Sequence, residues 1–161
     1  MIARTILALL FLSSGWHILA GTDRLISAQD LVGNWVCMSG NNDRPLQWQV
    51  RQDMPKGWLV GEASRDGVVL ATEGWSYDEH GRLLERWQFA ADGVFVHMKT
   101  LEVNGSVMIS EGVARDNADQ EVRYRHTIER SAPDLLFVRW ETINDESVVD
   151  KIAINERCSR I

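Results

Sequence analysis

Glu62, Glu111 and His126 are the residues best suited to chemistry, because strand alternation sets each of them among apolar neighbours. Glu62 follows Trp58 and Val60 at two-residue spacing, Glu111 follows Val107 and Ile109, and His126 stands between Tyr124 and Ile128. Glu85, ahead of Trp87 and Phe89, repeats the pattern. A carboxylate withdrawn from water has to be paired, protonated or in contact with a ligand. Beside a histidine inside a closed sheet it would hold the polar head of a ligand or form a general-base pair. The plainer reading stands next to this one: a satisfied core histidine, and glutamates turned outward past a bulge. Arg139 shares a face with Leu135 and Phe137, whereas Leu136, Val138 and Trp140 share the other. Pointing inward, Arg139 would clamp a ligand carboxylate through two parallel hydrogen bonds or pair with an interior glutamate; pointing outward, it leaves Trp140 inside.

Tryptophans 35, 48, 58, 75, 87 and 140 lie beyond the first twenty residues. Trp48, Trp58, Trp87 and Tyr124 would line a pocket for an apolar or ring-shaped ligand, or would simply fill a core. Histidines 17, 80, 97 and 126 show no paired ligand spacing, so no metal site is expected. The serines lack a nucleophile-elbow motif, and Gly57 to Gly61 has the wrong context for a nucleotide fingerprint. No catalytic residue is assigned.

The elements that must position these side chains are strands. Turn signals recur every ten to fourteen residues, with Asp66-Gly67, Asp92-Gly93 and Asn104-Gly105 the strongest of them; such pairs tolerate positive φ in tight hairpins. The spacing predicts strands near 33–39, 45–52, 57–64, 68–77, 83–90, 94–103, 105–114, 121–130, 135–143 and 147–158. A short helical turn at Ser27 to Leu31 is the one exception. Leu46, Trp48 and Val50 alternate with Gln47, Gln49 and Arg51, and Tyr124, His126 and Ile128 with Arg123, Arg125 and Thr127. This is the pattern of a sheet with one face on a core and one on water. Ten antiparallel strands in an up-and-down order are expected to close into a β-barrel, which removes both edges; an open sandwich is the alternative.

The first twenty residues read as an export signal: Arg4, the apolar run Ile6 to Leu12, then small residues up to Ala20. A later cut after Ala28 is the other option, leaving 29–161 as a single barrel domain. The run is shorter than the roughly 20 residues of a membrane helix, so no stable span is expected after cleavage. The periplasm is favoured over full secretion. With an export signal, Cys37 and Cys158, the chain's two cysteines, read as a disulfide joining the first and last strands. The net charge is −6 and lysine occurs only at 56, 99 and 151, which argues against nucleic acid as a partner.

Gly33-x-Trp35 on the first strand, with an arginine late on the last, resembles the calycin superfamily of lipocalins, fatty-acid-binding proteins and nitrobindin-like barrels. The resemblance implies a lipocalin-like fold in which Trp35 plugs the closed end and Arg157 or Arg160 packs across its ring. It also raises haem on His126, in the nitrobindin manner, although no cofactor is otherwise expected. The central Thr-Asp-Tyr signature of lipocalins is missing, and Cys37 stands where nitrobindins would carry a glycine. The expectation is thus an exported barrel that binds a small apolar or amphipathic molecule in its lumen, oriented by His126 with Glu62 or Glu111. A filled barrel acting through its surface, as an inhibitor or envelope-complex subunit, is the alternative; a hydrolase or isomerase using a Glu–His pair is the third.

Overall fold

The computed structural model describes residues 25–40, 42–52 and 57–161. The first twenty residues, with the cut after Ala20, and the Pro55-Lys56 turn lie outside them; the later cut, after Ala28, falls within them. A four-residue helix, α1 (Ala28–Leu31), precedes ten strands: β1 (Gly33–Ser39), β2 (Asn42–Arg51), β3 (Trp58–Arg65), β4 (Val68–Tyr77), β5 (Leu83–Ala90), β6 (Phe95–Asn104), β7 (Val107–Arg115), β8 (Glu121–Ala132), β9 (Leu135–Ile143) and β10 (Val149–Arg160). Each strand pairs antiparallel with its sequence neighbours, and β10 closes on β1 in a barrel. Cys37 faces Cys158 across that last seam and is bonded to it.

The seam is shorter than the strand. Among the described residues, β1 pairs with β10 only over Glu156 to Arg160. Val149 to Asn155 pair with β9 on one side and are exposed. The barrel wall is therefore slit between β10 and the β1–β2 hairpin over about half the length of β10.

The two ends of the barrel differ in what fills them. At one end α1 lies across the hairpins: the Ile26 N–H donates to the Gly105 carbonyl and the Ala28 N–H to that of Gly81, both at 2.9 Å. Asp30 fixes this plug. Its carboxylate accepts from the Ser27 N–H (2.8 Å) and hydroxyl (2.9 Å) and from Arg130 Nη1 (2.8 Å). Burial opposes the charge on Asp30, but these donors outweigh it and hold the carboxyl below its ordinary value. The Trp35 indole donates to the Leu31 carbonyl at 2.8 Å, and the Arg160 guanidinium lies 4.5 Å over its ring. Gly33 enters β1 at φ +149°, with the Arg160 side chain 3.6 Å from where a Cβ would stand. Arg157, on the outer wall beside Met38 and Phe137, takes no part in the plug.

Above the plug, large apolar side chains pack the interior: Ile26, Leu31, Leu59, Trp75, Met108, Ile128 and Leu136 are all buried. Toward the opposite end the inward positions shrink to Ala63, Ala71, Ala90, Ala114 and Ala153. Small side chains on facing strands cannot meet across a barrel of this width, and the interior opens there as a cup. No helix among the described residues is long and apolar enough to cross a membrane.

Candidate functional site

The cup has a volume of about 390 Å³, at the lower end of the roughly 300–1,000 Å³ usual for ligand sites. Its walls are apolar (Leu46, Leu70, Val94, Val96, Val138 and Ile154), and Trp48, Tyr124 and Trp140 add aromatic surface. The polar residues on it are Arg65, Glu73, Arg86, Gln88, Asp92, His126 and Glu156.

Arg86 and Glu73 form the centre. They are a buried ion pair, with Arg86 Nε donating to Glu73 Oε2 at 2.8 Å and Nη2 donating to the same oxygen. Glu73 Oε1 accepts from the Trp48 indole, and Arg86 Nη2 also donates to Gln88 Oε1 at 2.9 Å. The guanidinium is wedged between two rings, 4.7 Å from the Trp75 centroid and 4.6 Å from that of Trp140. Gly61, opposite Glu73 on β3, makes this possible, because a Cβ there would collide with the Glu73 carboxylate. Beside the pair, His126 is 1% exposed and lies 4.3 Å from Trp140 and 6.0 Å from Trp75, centroid to centroid. Burial first, and the charge of Arg86 second, push its pKa well below the ordinary histidine value, so His126 is neutral.

Among the described residues, the buried side-chain nitrogens Arg86 Nη1, Trp75 Nε1, His126 Nδ1 and Arg65 Nε have no hydrogen-bond partner. Buried polar atoms are rarely left so. Glu156, also on the cup, is pushed above its ordinary value by burial, against the opposing pull of Arg65 and Arg86. Cys37, Cys158 and Glu156 have ligand atoms within 4.8 Å of one another, but both sulfurs are consumed in the disulfide, so they make no metal site.

The expected site residues divide between the two faces of the wall. Trp48, Tyr124 and His126 face the lumen. Trp58, Glu62, Trp87, Glu111 and Arg139 do not; they stand on the outer wall, which corrects the reading of β3, β5 and β7. On β3 the inward residues are Leu59, Gly61 and Ala63, and the outward Trp58 and Val60 are apolar as well, so alternation alone could not choose between the faces. On β7 the inward residues are Met108, Ser110, Gly112 and Ala114. On β5 the pairing shifts between Ser76–Glu85 and Tyr77–Leu83, and the extra residue turns Arg86 and Gln88 inward while Trp87 and Phe89 turn out. Glu111 is held outside by Arg125 Nε (2.9 Å) and Nη2 (2.6 Å) and by the Ser147 hydroxyl (2.9 Å). Arg139 lies 3.8 Å from Glu141 on the same wall, and Trp140 is the inward residue.

Neither Glu62 nor Glu111 reaches His126, so the expected Glu–His pair does not form with either. Haem does not fit at His126. An axial imidazole needs an open nitrogen with space for the macrocycle before it, whereas His126 is enclosed by Trp75 and Trp140 with Arg86 wedged against the same rings. Sequence reasoning missed Arg65, Glu73, Trp75, Arg86, Gln88 and Glu156. The signal for two of them was present: Ala71, Glu73 and Trp75 alternate on β4 as cleanly as the residues chosen on β3.

No protein-family model and no curated protein matches this chain.

Proposed function

We propose that this protein is an exported, lipocalin-like barrel that binds a small amphipathic molecule in its lumen. The observation that carries the reading is an apolar cup of about 390 Å³ whose polar centre keeps buried nitrogens unpaired by the protein. Close packing would have been easy to reach with larger residues at the five alanines, and apolar substitutes for Glu73 and Arg86 would cost less desolvation. The wall supplies contact area and the centre fixes orientation. Export, with the periplasm as destination, is supported by the apolar leader and by a disulfide suited to an oxidising compartment.

Native mass spectrometry of the protein exported into an oxidising compartment tests this reading. The expected result is a discrete excess mass, lost on denaturation and absent from Ala71→Phe, which fills the cup. A bare polypeptide that also takes up no apolar fluorophore would reject a lumen site.

A second reading, a barrel acting through its surface, is favoured by one feature of the outer wall. Trp58, Trp87 and His97 stack in a row at centroid distances of 5.2 and 5.4 Å. Beside them runs a groove lined by residues including His97, Lys99, Arg115 and Arg123. A protein docked on this row would be lost from Trp58→Ala, with lumen binding unchanged.

A further inference from the structure

Asn104-Gly105 is the one Asn-Gly pair in the sequence, and it lies at the β6–β7 turn to which the plug is tied. Asn104 ends β6 opposite Val107 and is exposed; Gly105 follows at φ +56°. The Gly105 carbonyl accepts from the Ile26 N–H at 2.9 Å, and the Ser106 carbonyl accepts from the Arg130 N–H at 2.8 Å.

The reactive atoms of this pair are free. Among the described residues, neither the Asn104 carboxamide nor the Gly105 N–H has a hydrogen-bond partner. Comparable groups elsewhere are engaged. Asn117 Nδ2 donates to the Asp92 carbonyl at 3.0 Å, and Asn144 Oδ1 accepts from the Glu146 and Val148 N–H groups. At Asp92-Gly93 the Gly93 N–H donates to the Ala90 carbonyl at 3.0 Å, and at Asp66-Gly67 the carboxylate is paired with Arg44. Glycine also leaves its own nitrogen unshielded, and a Cβ at Gly105 would meet nothing within 4 Å.

We propose that Asn104 is a site of spontaneous modification, converting through a cyclic imide to aspartate and isoaspartate and so loosening the plug. The Gly105 nitrogen loses its proton and attacks Asn104 Cγ. That N–C bond forms, the Cγ–Nδ2 bond breaks, and ammonia leaves with the proton. Water then opens the imide. Opening at Cγ gives aspartate with the main chain unchanged. Opening at the main-chain carbonyl routes the chain through the side chain, one methylene longer, with a free α-carboxylate. The longer turn carries the Gly105 carbonyl away from Ile26, while the bond from Ala28 to Gly81 on another hairpin stays. The proposal does not depend on lumen binding.

The test ages the exported protein at pH 7.5 and digests it with trypsin; the peptide Thr100–Arg115 holds no other asparagine. It is expected to split into unmodified, aspartyl and isoaspartyl forms, the last labelled by an isoaspartate-specific methyltransferase. Hydrogen exchange at the Ile26 amide should quicken about fivefold in the isoaspartyl fraction, the scale of one lost hydrogen bond, with Ala28 unchanged. Asn104→Gln, which would have to close a larger ring, should keep both its mass and its exchange on ageing. Freshly made Asn104→Asp carries the charge without the methylene and should exchange like fresh wild type. Should Asn104→Gln fail to fold, aged against fresh wild type decides. An Asn104 that stays intact in the folded chain, whether or not it converts in urea, overturns the proposal. Conversion with unchanged exchange at Ile26 overturns the tie to the plug.

Discussion

His126 and Glu156 are two titratable groups in one cup, and burial displaces them in opposite directions. His126 is neutral in both folded and unfolded chains above about pH 6.5. Below that the unfolded chain gains a proton that the folded chain resists, so acidification destabilises the fold by up to about 1.4 kcal/mol per pH unit. Glu156 works the other way. Between its ordinary value of 4.5 and its raised folded value, the folded chain holds a proton that the unfolded one has released, and acidification through this window stabilises. His126→Gln is expected to flatten the fall in stability below pH 6.5, and Glu156→Gln to steepen it. Urea midpoints at pH 7.5, 6.5 and 5.5 read the slopes; identical slopes in wild type and His126→Gln would show that His126 does not set the response. The Glu73–Arg86 pair beside them is a poor source of net stability, because desolvating two ions offsets most of their attraction.

At the scale of elements, the sequence was legible where one face of a strand was charged. β8 places Arg123, Arg125, Thr127 and Glu129 opposite Tyr124, His126 and Ile128, and water chooses the outer face. The ten strands and their hairpins were legible for a similar reason, because turn residues mark positive φ: Asp66, Gly67, Gly93 and Gly105 all adopt it. β3, β5 and β7 were not. Trp58 and Trp87 cover each other on the outer wall, which lets large apolar side chains face outward, while a buried ion pair lets charge face inward. On β5 the shift in pairing also breaks the alternation from which the faces were read. The plug was foreseen as a helical turn, but its anchoring by Arg130, a hundred residues away, has no local signal. Asp30→Asn removes the charge that Arg130 faces. It is expected to destabilise the fold by about 3 kcal/mol, as for other broken buried pairs, and to speed hydrogen exchange at the Ile26 and Ala28 amides. Unchanged exchange there would mean that the plug is held by its apolar contacts.

For the whole molecule, the disulfide closes a loop with a sequence separation of 121 residues. On the chain-entropy account such a crosslink stabilises by up to about 4–5 kcal/mol, acting on the unfolded chain. Cys37→Ala/Cys158→Ala is expected to unfold at lower denaturant while keeping its barrel spectrum; an unchanged midpoint would place the stability entirely in the ladders. The position of the bond matters as well as its loop. It lies on the third of the five rungs joining β1 to β10, close to where the wall is slit. A tube cut part-way along its length tears from the end of the cut, because there each rung meets the load alone. Force on the β9–β10 hairpin, whether from a partner gripping its free edge or from a ligand widening the slit, reaches Ser39 and Met38 first. It then meets a covalent bond, so the slit can gape beside the cup while the tear stops short of the plug.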